Sequence, residues 1–254
     1  MPVIAVFNQK GGVGKTTTTL NVAAALARSG TPPVVVDLDP QAHLTLVLGQ
    51  RNVAADASVY AFFAHGRPLA ELIATLAGGL QLVPASADLS KIEAQHGEDP
   101  ESSYRLQQGL QAWLDRDGLP VLLDCSPALG VLSLNALAAA DCVLLPVSAD
   151  YLAVEGAHRL AATLDVLEQR LHKRFRRRIV VTRFDSRRRL SYDIYAMLVE
   201  HFGDQVCETA IAETVALAES PMHQKDIFAY AGSSQGAADY RALTDELRAG
   251  NFFN

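Results

Sequence analysis

Short apolar, β-branched runs recur along the chain, separated by longer stretches of helical pattern. Residues 3–7, 34–38, 80–83, 121–124, 142–147, 179–184 and 206–209 read as strands. Most are apolar at successive positions with no polar alternation, as expected of strands covered on both faces. Residues 16–28, 104–116, 131–139, 157–171, 192–201 and 237–248 read as helices. This β-α alternation predicts an α/β fold: a single doubly wound, mostly parallel sheet with helices on both faces. Ligands of such sheets bind at the carboxyl ends of the strands. Segment 52–118 is less regular, and the polar stretch 95–103, with Gly97 and Pro100, reads as a loop. There is no internal repeat and no low-complexity linker, so residues 1–254 read as one domain.

Composition narrows the class. Hydrophobic residues make up 49% and charged residues 20% of the 254, which suits a globular protein with a substantial core. The apolar opening is too short for a signal sequence and runs directly into a glycine loop. No apolar run reaches the roughly 18 residues of a membrane span, so a cytoplasmic protein without membrane contact is expected. Cys125, Cys142 and Cys207 lack metal-ligand spacing and read as small buried residues in a reducing compartment.

The formal net charge is −6, yet residues 170–189 hold ten Lys/Arg against one acid, Asp185. A local basic face of this kind binds phosphates even on an acidic protein, because attraction beyond about 10 Å is screened. Its two runs are Lys173-Arg174-Phe175-Arg176-Arg177-Arg178 and Arg187-Arg188-Arg189. Phosphate contacts need Lys or Arg and no sequence code. The plain alternative is a solvated face.

The most specific segment is Gln9-Lys10-Gly11-Gly12-Val13-Gly14-Lys15-Thr16-Thr17, between a predicted strand and a predicted helix. That is the context of a phosphate loop. Glycines let the backbone turn tightly and aim successive N–H groups at phosphate oxygens, and the helix N-terminus adds partial positive charge. In such a loop Lys15 reaches the β- and γ-phosphates of ATP and Thr16 gives a hydroxyl to Mg²⁺. Gln9 stands where the common pattern has its first glycine, and Lys10 is one cation more than a single triphosphate site uses.

Two acidic elements complete the set. Val34-Val35-Val36-Asp37-Leu38-Asp39-Pro40-Gln41 ends an apolar run with carboxylates two residues apart, which share a face of a strand. Carboxylates there hold Mg²⁺ waters or position an attacking water; helix capping is the bland alternative. Val121-Leu122-Leu123-Asp124 describes a buried strand delivering one carboxylate to Mg²⁺.

Lys-Gly-Gly-Val-Gly-Lys-Thr-Thr resembles the signature of the deviant Walker A ATPases, the superfamily of ParA, Soj, MinD and the nitrogenase iron protein. The resemblance spans nearly the whole chain and looks closest to the short ParA/Soj branch. It implies that Lys10 acts in trans across a nucleotide-sandwich homodimer, that Gly11 and Gly12 lie at the subunit contact, and that Lys15 acts in cis. It implies ATP binding by residues 10–17, namely Lys10, Gly11, Gly12, Val13, Gly14, Lys15, Thr16 and Thr17. Asp39 is then tied to hydrolysis, while Asp37 and Asp124 support the metal. Asp124-Cys125-Ser126-Pro127 departs from the family's D-C-P-P at Ser126. Thr182, in T-x-x-D, and Pro221, in L-A-E-S-P, occupy the family's adenine positions.

The same resemblance implies nonspecific DNA as the matrix, a ParB-like or cargo-adaptor protein that stimulates hydrolysis, and a nucleoid location. Arg187 stands where the family places a DNA-contacting arginine. However, Ile211-Ala212-Glu213-Thr214-Val215-Ala216-Leu217 lacks both arginines of the family's I-P-R-N-V-R-L. The 173–178 run is expected to compensate. The alternative is a membrane-associated MinD or flagellar-type regulator, but Phe252-Phe253 without nearby lysines is a poor anchor. A redox iron protein needs cluster cysteines that are not suitably placed here. The loop begins at residue 10, so no operator-reading helix-turn-helix is expected ahead of it.

Overall fold

The structure is a computed structural model that describes residues 2–76, 79–96, 100–117 and 119–253. Among these residues one sheet has seven strands: β1 (Val3–Val6), β2 (Val34–Asp37), β3 (Ala74–Thr75), β4 (Gln81–Val83), β5 (Val121–Asp124), β6 (Cys142–Ser148) and β7 (Arg176–Thr182). Their order is β3-β4-β2-β5-β1-β6-β7, and all pairs are parallel except the antiparallel edge β3·β4. The helices are α1 (Lys15–Arg28), α2 (His43–Val47), α3 (Val59–His65), α4 (Leu89–His96), α5 (Arg105–Asp117) and α6 (Val131–Ala139). They continue with α7 (Ala153–Leu171), α8 (Arg189–Phe202), α9 (Val215–Glu219), α10 (Ile227–Ala231) and α11 (Gln235–Ala249).

The apolar strands divide their side chains between two cores. Val3, Ala5, Val34, Val36, Val121 and Leu123 point to the layer of α3 to α8. Ile4, Val6, Val35, Leu122 and Leu144 point to the opposite layer, where α1 and α11 pack against each other. The lack of polar alternation thus reflects burial on both sides, as in a doubly wound sheet. β1 lies between β5 and β6: the chain runs from β1 out to β2 on one side and later crosses from β5 past β1 to β6 on the other, which opens a crevice at the carboxyl ends.

Residues 206–209 form no strand. Val206 and Ala212 make isolated bridges to Ile179 and Phe184. The amides of Glu208 and Thr209 go instead to the Glu246 carboxylate of α11, at 2.8 and 2.9 Å. β7 starts at Arg176, three residues before the expected 179, and ends at Thr182 because Arg183 takes a left-handed φ of 53°. The expected loop at 95–103 is partly helical, with α4 running to His96 and a 3-10 turn over Pro100–Tyr104. Residues 97–99, with Gly97, lie outside the described residues.

Candidate nucleotide site

The glycine loop joins β1 to α1 and is tied down before any side chain faces the crevice. Asn8 Nδ2 donates to Pro146 O at 2.7 Å, and Lys10 N donates to Asn8 Oδ1 at 2.9 Å. Gly12 and Gly14 adopt φ of 76° and 90°, a region open to glycine and strained for other residues. Gly14 caps α1 with no side-chain hydrogen bond, so no side chain competes for the first-turn N–H groups.

Lys15 is buried, and its Nζ donates to Lys10 O at 3.2 Å. Burial lowers its pKa, against the opposing pull of the Asp124 and Asp39 charges. Lys10 faces outward, its Nζ 2.5 Å from Asp150 Oδ2. The two loop lysines therefore have separate environments.

β2 and β5 pair with Asp37 opposite Asp124, so their register brings both acids to one level. Thr16 Oγ1 donates to Asp124 Oδ2 at 2.8 Å and Thr19 Oγ1 to Asp124 Oδ1 at 3.1 Å. Burial, reinforced by the Asp37 charge, pushes the Asp124 carboxyl up to about 8 despite those hydroxyls. Burial likewise pushes Asp37 up to about 6, against three hydrogen bonds. Those come from Thr45 N at 2.9 Å, Thr45 Oγ1 at 2.6 Å and Asp39 N at 3.1 Å. The family's Mg²⁺ fits this chemistry: a hydroxyl and a carboxylate in contact are hard oxygen donors, and a buried carboxylate with a raised pKa gains from a cation. Asp37 is fully buried and held by Thr45 of α2. Asp39 lies at the surface end of the same segment, its Oδ1 accepting from Gln41 N at 2.9 Å.

At the other end of the loop is a cavity of about 230 Å³ lined by Gly12, Gly14, Thr17, Thr182, Leu217 and Tyr240, among others. Thr182 Oγ1 donates to Val13 O at 2.8 Å and so braces the loop from β7. Pro221 is not among the lining residues. It is the second residue of the 3-10 turn Ser220–His223, which follows α9 directly, and α9 itself supplies Leu217 and Ala218 to the wall. The sequence reading also missed Arg183 and Glu213 on this wall, joined at 2.8 Å, and Tyr240, whose hydroxyl meets Thr18 Oγ1 at 3.2 Å. No local motif marks Tyr240, because its contact spans 222 positions.

The basic residues divide into two sets. Arg177 bonds Asp165 at 2.8 Å and Glu168 at 3.0 Å, with its side chain only 12% exposed and that of Glu168 only 4%. Arg178 bonds Glu246 at 3.1 Å, Arg176 donates to Asn251 O, and Lys173 Nζ donates to Ala138 O at 2.8 Å. Arg174 also bonds Glu168, but its side chain is 87% exposed. The expected compensating run at 173–178 is thus largely paired: three of its arginines lie on the edge strand and are matched by acids or a carbonyl, while Arg174 and Arg176 stay exposed. Arg187, Arg188 and Arg189, at the start of α8, are well exposed and pair only locally with Asp185 and Asp193. Phe252 and Phe253 are buried in the α1/α11 core, not presented outward as an anchor. No described helix is long and apolar enough to cross a membrane.

A family model described as an AAA domain matches residues 1–177. The chromosome-partitioning ATPase Soj of Thermus thermophilus is 43% identical over 247 residues, covering 97% of this chain and 95% of that protein. The chromosome partitioning protein ParA of Myxococcus xanthus is 37% identical, covering 96% and 87%. A cobyrinic acid a,c-diamide synthase from Mycobacterium smegmatis, solved with an ATP analog and magnesium, superposes with a TM-score of 0.84 at 32% identity, over 99% of this chain and 96% of that one. Apo McdA from Cyanothece has a TM-score of 0.86 at 20% identity, over 97% and 99%, a likeness of fold.

Proposed function

The chain belongs to the ParA/Soj family of ATPases, and from that premise we propose that it positions a cargo by cycles of ATP-dependent dimerisation on DNA. In this reading residues 1–254 work as one ATPase domain. ATP closes a homodimer, the dimer holds nonspecific DNA, and an adaptor of the ParB kind stimulates slow hydrolysis and release. The cargo class is a plasmid, a chromosome origin or a protein assembly, and the cycle takes place in the cytoplasm on the nucleoid.

The observation that carries this reading is the convergence of Lys15, Thr16, Asp37 and Asp124 beneath a glycine loop with a second, outward-facing lysine. The loop N–H groups and Lys15 bind the phosphates, and Lys10 serves the partner copy's phosphates. Thr16 and Asp124 would hold Mg²⁺, which would supply charge neutralisation to the phosphates. Asp37 fixes the Asp39 backbone, and Asp39 orients the attacking water. The cavity beside Thr182 takes the base, with Leu217 of α9 as its apolar wall. Arg187, Arg188 and Arg189, with Arg174, are the arginines best presented to DNA phosphates.

The test is binding to random-sequence DNA with ATP, with ADP and without nucleotide, at two salt concentrations, alongside Lys15→Ala. Binding that needs ATP, weakens with salt and is lost in the variant supports the reading. DNA binding that ignores nucleotide, or is absent throughout, removes DNA as the matrix and leaves the ATPase assignment in place.

A further inference from the structure

Asp150 lies in the turn between β6 and α7, and its carboxylate is oriented by its own neighbourhood. Ser148 Oγ, at the buried end of β6, donates to Oδ2 at 2.5 Å, and Leu152 N donates to Oδ1 at 3.2 Å. The Asp150 backbone is also fixed, with Asp150 N donating to Ser148 O at 2.8 Å and Ala153 N to Asp150 O at 2.9 Å. Into this prepared acceptor reaches Lys10 Nζ, at 2.5 Å from Oδ2 and across 140 positions of sequence. Partial burial pushes the Asp150 carboxyl up, but bonds from Lys10 and Ser148 outweigh it and hold the group ionised below the usual range.

Lys10 is thus pinned at both ends. Its N–H is on Asn8, its carbonyl receives Lys15 Nζ, and its ammonium is on Asp150. A lysine that must extend to a second copy has to leave this acceptor first. We propose that Asp150 is a positioning residue that parks Lys10 on its own protomer and so opposes closure of the dimer. This rests on the trans role of Lys10 given under the proposed function.

A half-exposed pair of this kind contributes a factor of roughly two to five. A symmetric dimer breaks two of them, so the factors multiply. Asp150→Asn should therefore tighten AMPPNP-dependent dimerisation about 4- to 25-fold, and Ser148→Ala should act the same way but less. The dimer constant is read by sedimentation in wild type, Asp150→Asn, Ser148→Ala, Lys10→Ala and the Lys10→Ala/Asp150→Asn double variant. AMPPNP affinity is read separately at protein concentrations too low for association.

A second readout is the rate at which an amine reagent modifies Lys10 without nucleotide, by mass spectrometry, with exposed Lys225 as the internal reference. The proposal expects faster modification of Lys10 and unchanged Lys225 in Asp150→Asn. It also expects a tighter dimer at unchanged monomer affinity, with no added effect of Asp150→Asn once Lys10 is alanine. It is overturned if Asp150→Asn leaves Lys10 no more reactive, leaves the dimer constant unchanged or weakens it, or acts equally in both backgrounds. A wild type that binds AMPPNP yet never dimerises overturns the sandwich reading and the parking role with it. A wild type that dimerises without response to Asp150→Asn overturns the parking role alone.

Discussion

The glycine loop and the basic stretch 173–189 are both rich in cations, yet the fold treats them oppositely. In the loop the backbone supplies the structure: Gly12 and Gly14 set the turn, and Asn8 ties it to β6, leaving Lys10 and Lys15 in separate environments. In the basic stretch, several of the charges supply the structure themselves. Arg177 neutralises buried Glu168, and Arg178 joins β7 to Glu246 of α11. Glu246 also receives the Glu208 and Thr209 amides, so one carboxylate organises this sheet edge. The lesson is that a cation is available to a ligand only where the acids of the fold have not already claimed it.

The largest expected effect on stability breaks the structural half of that comparison. Arg177→Ala leaves the buried Glu168 carboxylate with exposed Arg174 and the Phe175 amide as its partners and should cost about 1–3 kcal/mol, measured by urea unfolding. A change below about 1 kcal/mol would return Arg177 to the list of free cations. On the other side, Lys15→Ala should lower ATP turnover by about 10²–10³ while the urea midpoint moves little, because Lys15 bonds only a loop carbonyl.

A third test uses pH, without Mg²⁺ or nucleotide. The Asp124 and Asp37 pKa values are raised in the folded protein, so it binds more protons than the unfolded chain above the ordinary carboxylate value of 3.8. These groups therefore make stability fall as pH rises from about 4 towards about 8, and level off above that. Asp124→Asn should flatten the upper part of the slope in thermal melts, and Mg-nucleotide should oppose it. An unchanged slope in the variant would assign it to other groups. The smallest stability effect is expected for Arg187→Ala/Arg188→Ala/Arg189→Ala. These exposed pairs should leave the urea midpoint nearly unchanged, while the salt dependence of DNA binding becomes shallower.

What could be read from the sequence follows the same division. The strands that carry the site, β1, β2, β5 and β6, were legible because burial on both faces writes continuous apolar runs. The loop and the acids at the ends of β2 and β5 were legible because each motif is contiguous. The short helices α2, α9 and α10, each of five residues, have too few turns to show a period. The wall made by Leu217 and Tyr240 depends on helices brought together from distant sequence, and no local rule announces it. The partners of the basic run were hidden for a related reason. Its acids, Asp165, Glu168 and Glu246, lie on α7 and α11, outside any window that reads a charge cluster.

All three thiols are enclosed. Cys125 lies beside Asp124 and is pushed well up by burial, while burial raises Cys142 to about 11 and Cys207 to about 12. Thiolate is the reactive form, so the native protein should be nearly silent towards maleimide and spin-label reagents. A single cysteine introduced at Tyr151, whose side chain stands 86% exposed beside Asp150, would then be the dominant site of labelling. The chain is in this sense its own cysteine-free background for spectroscopic rulers, and a Tyr151→Cys label could report the approach of two copies with no native thiol replaced.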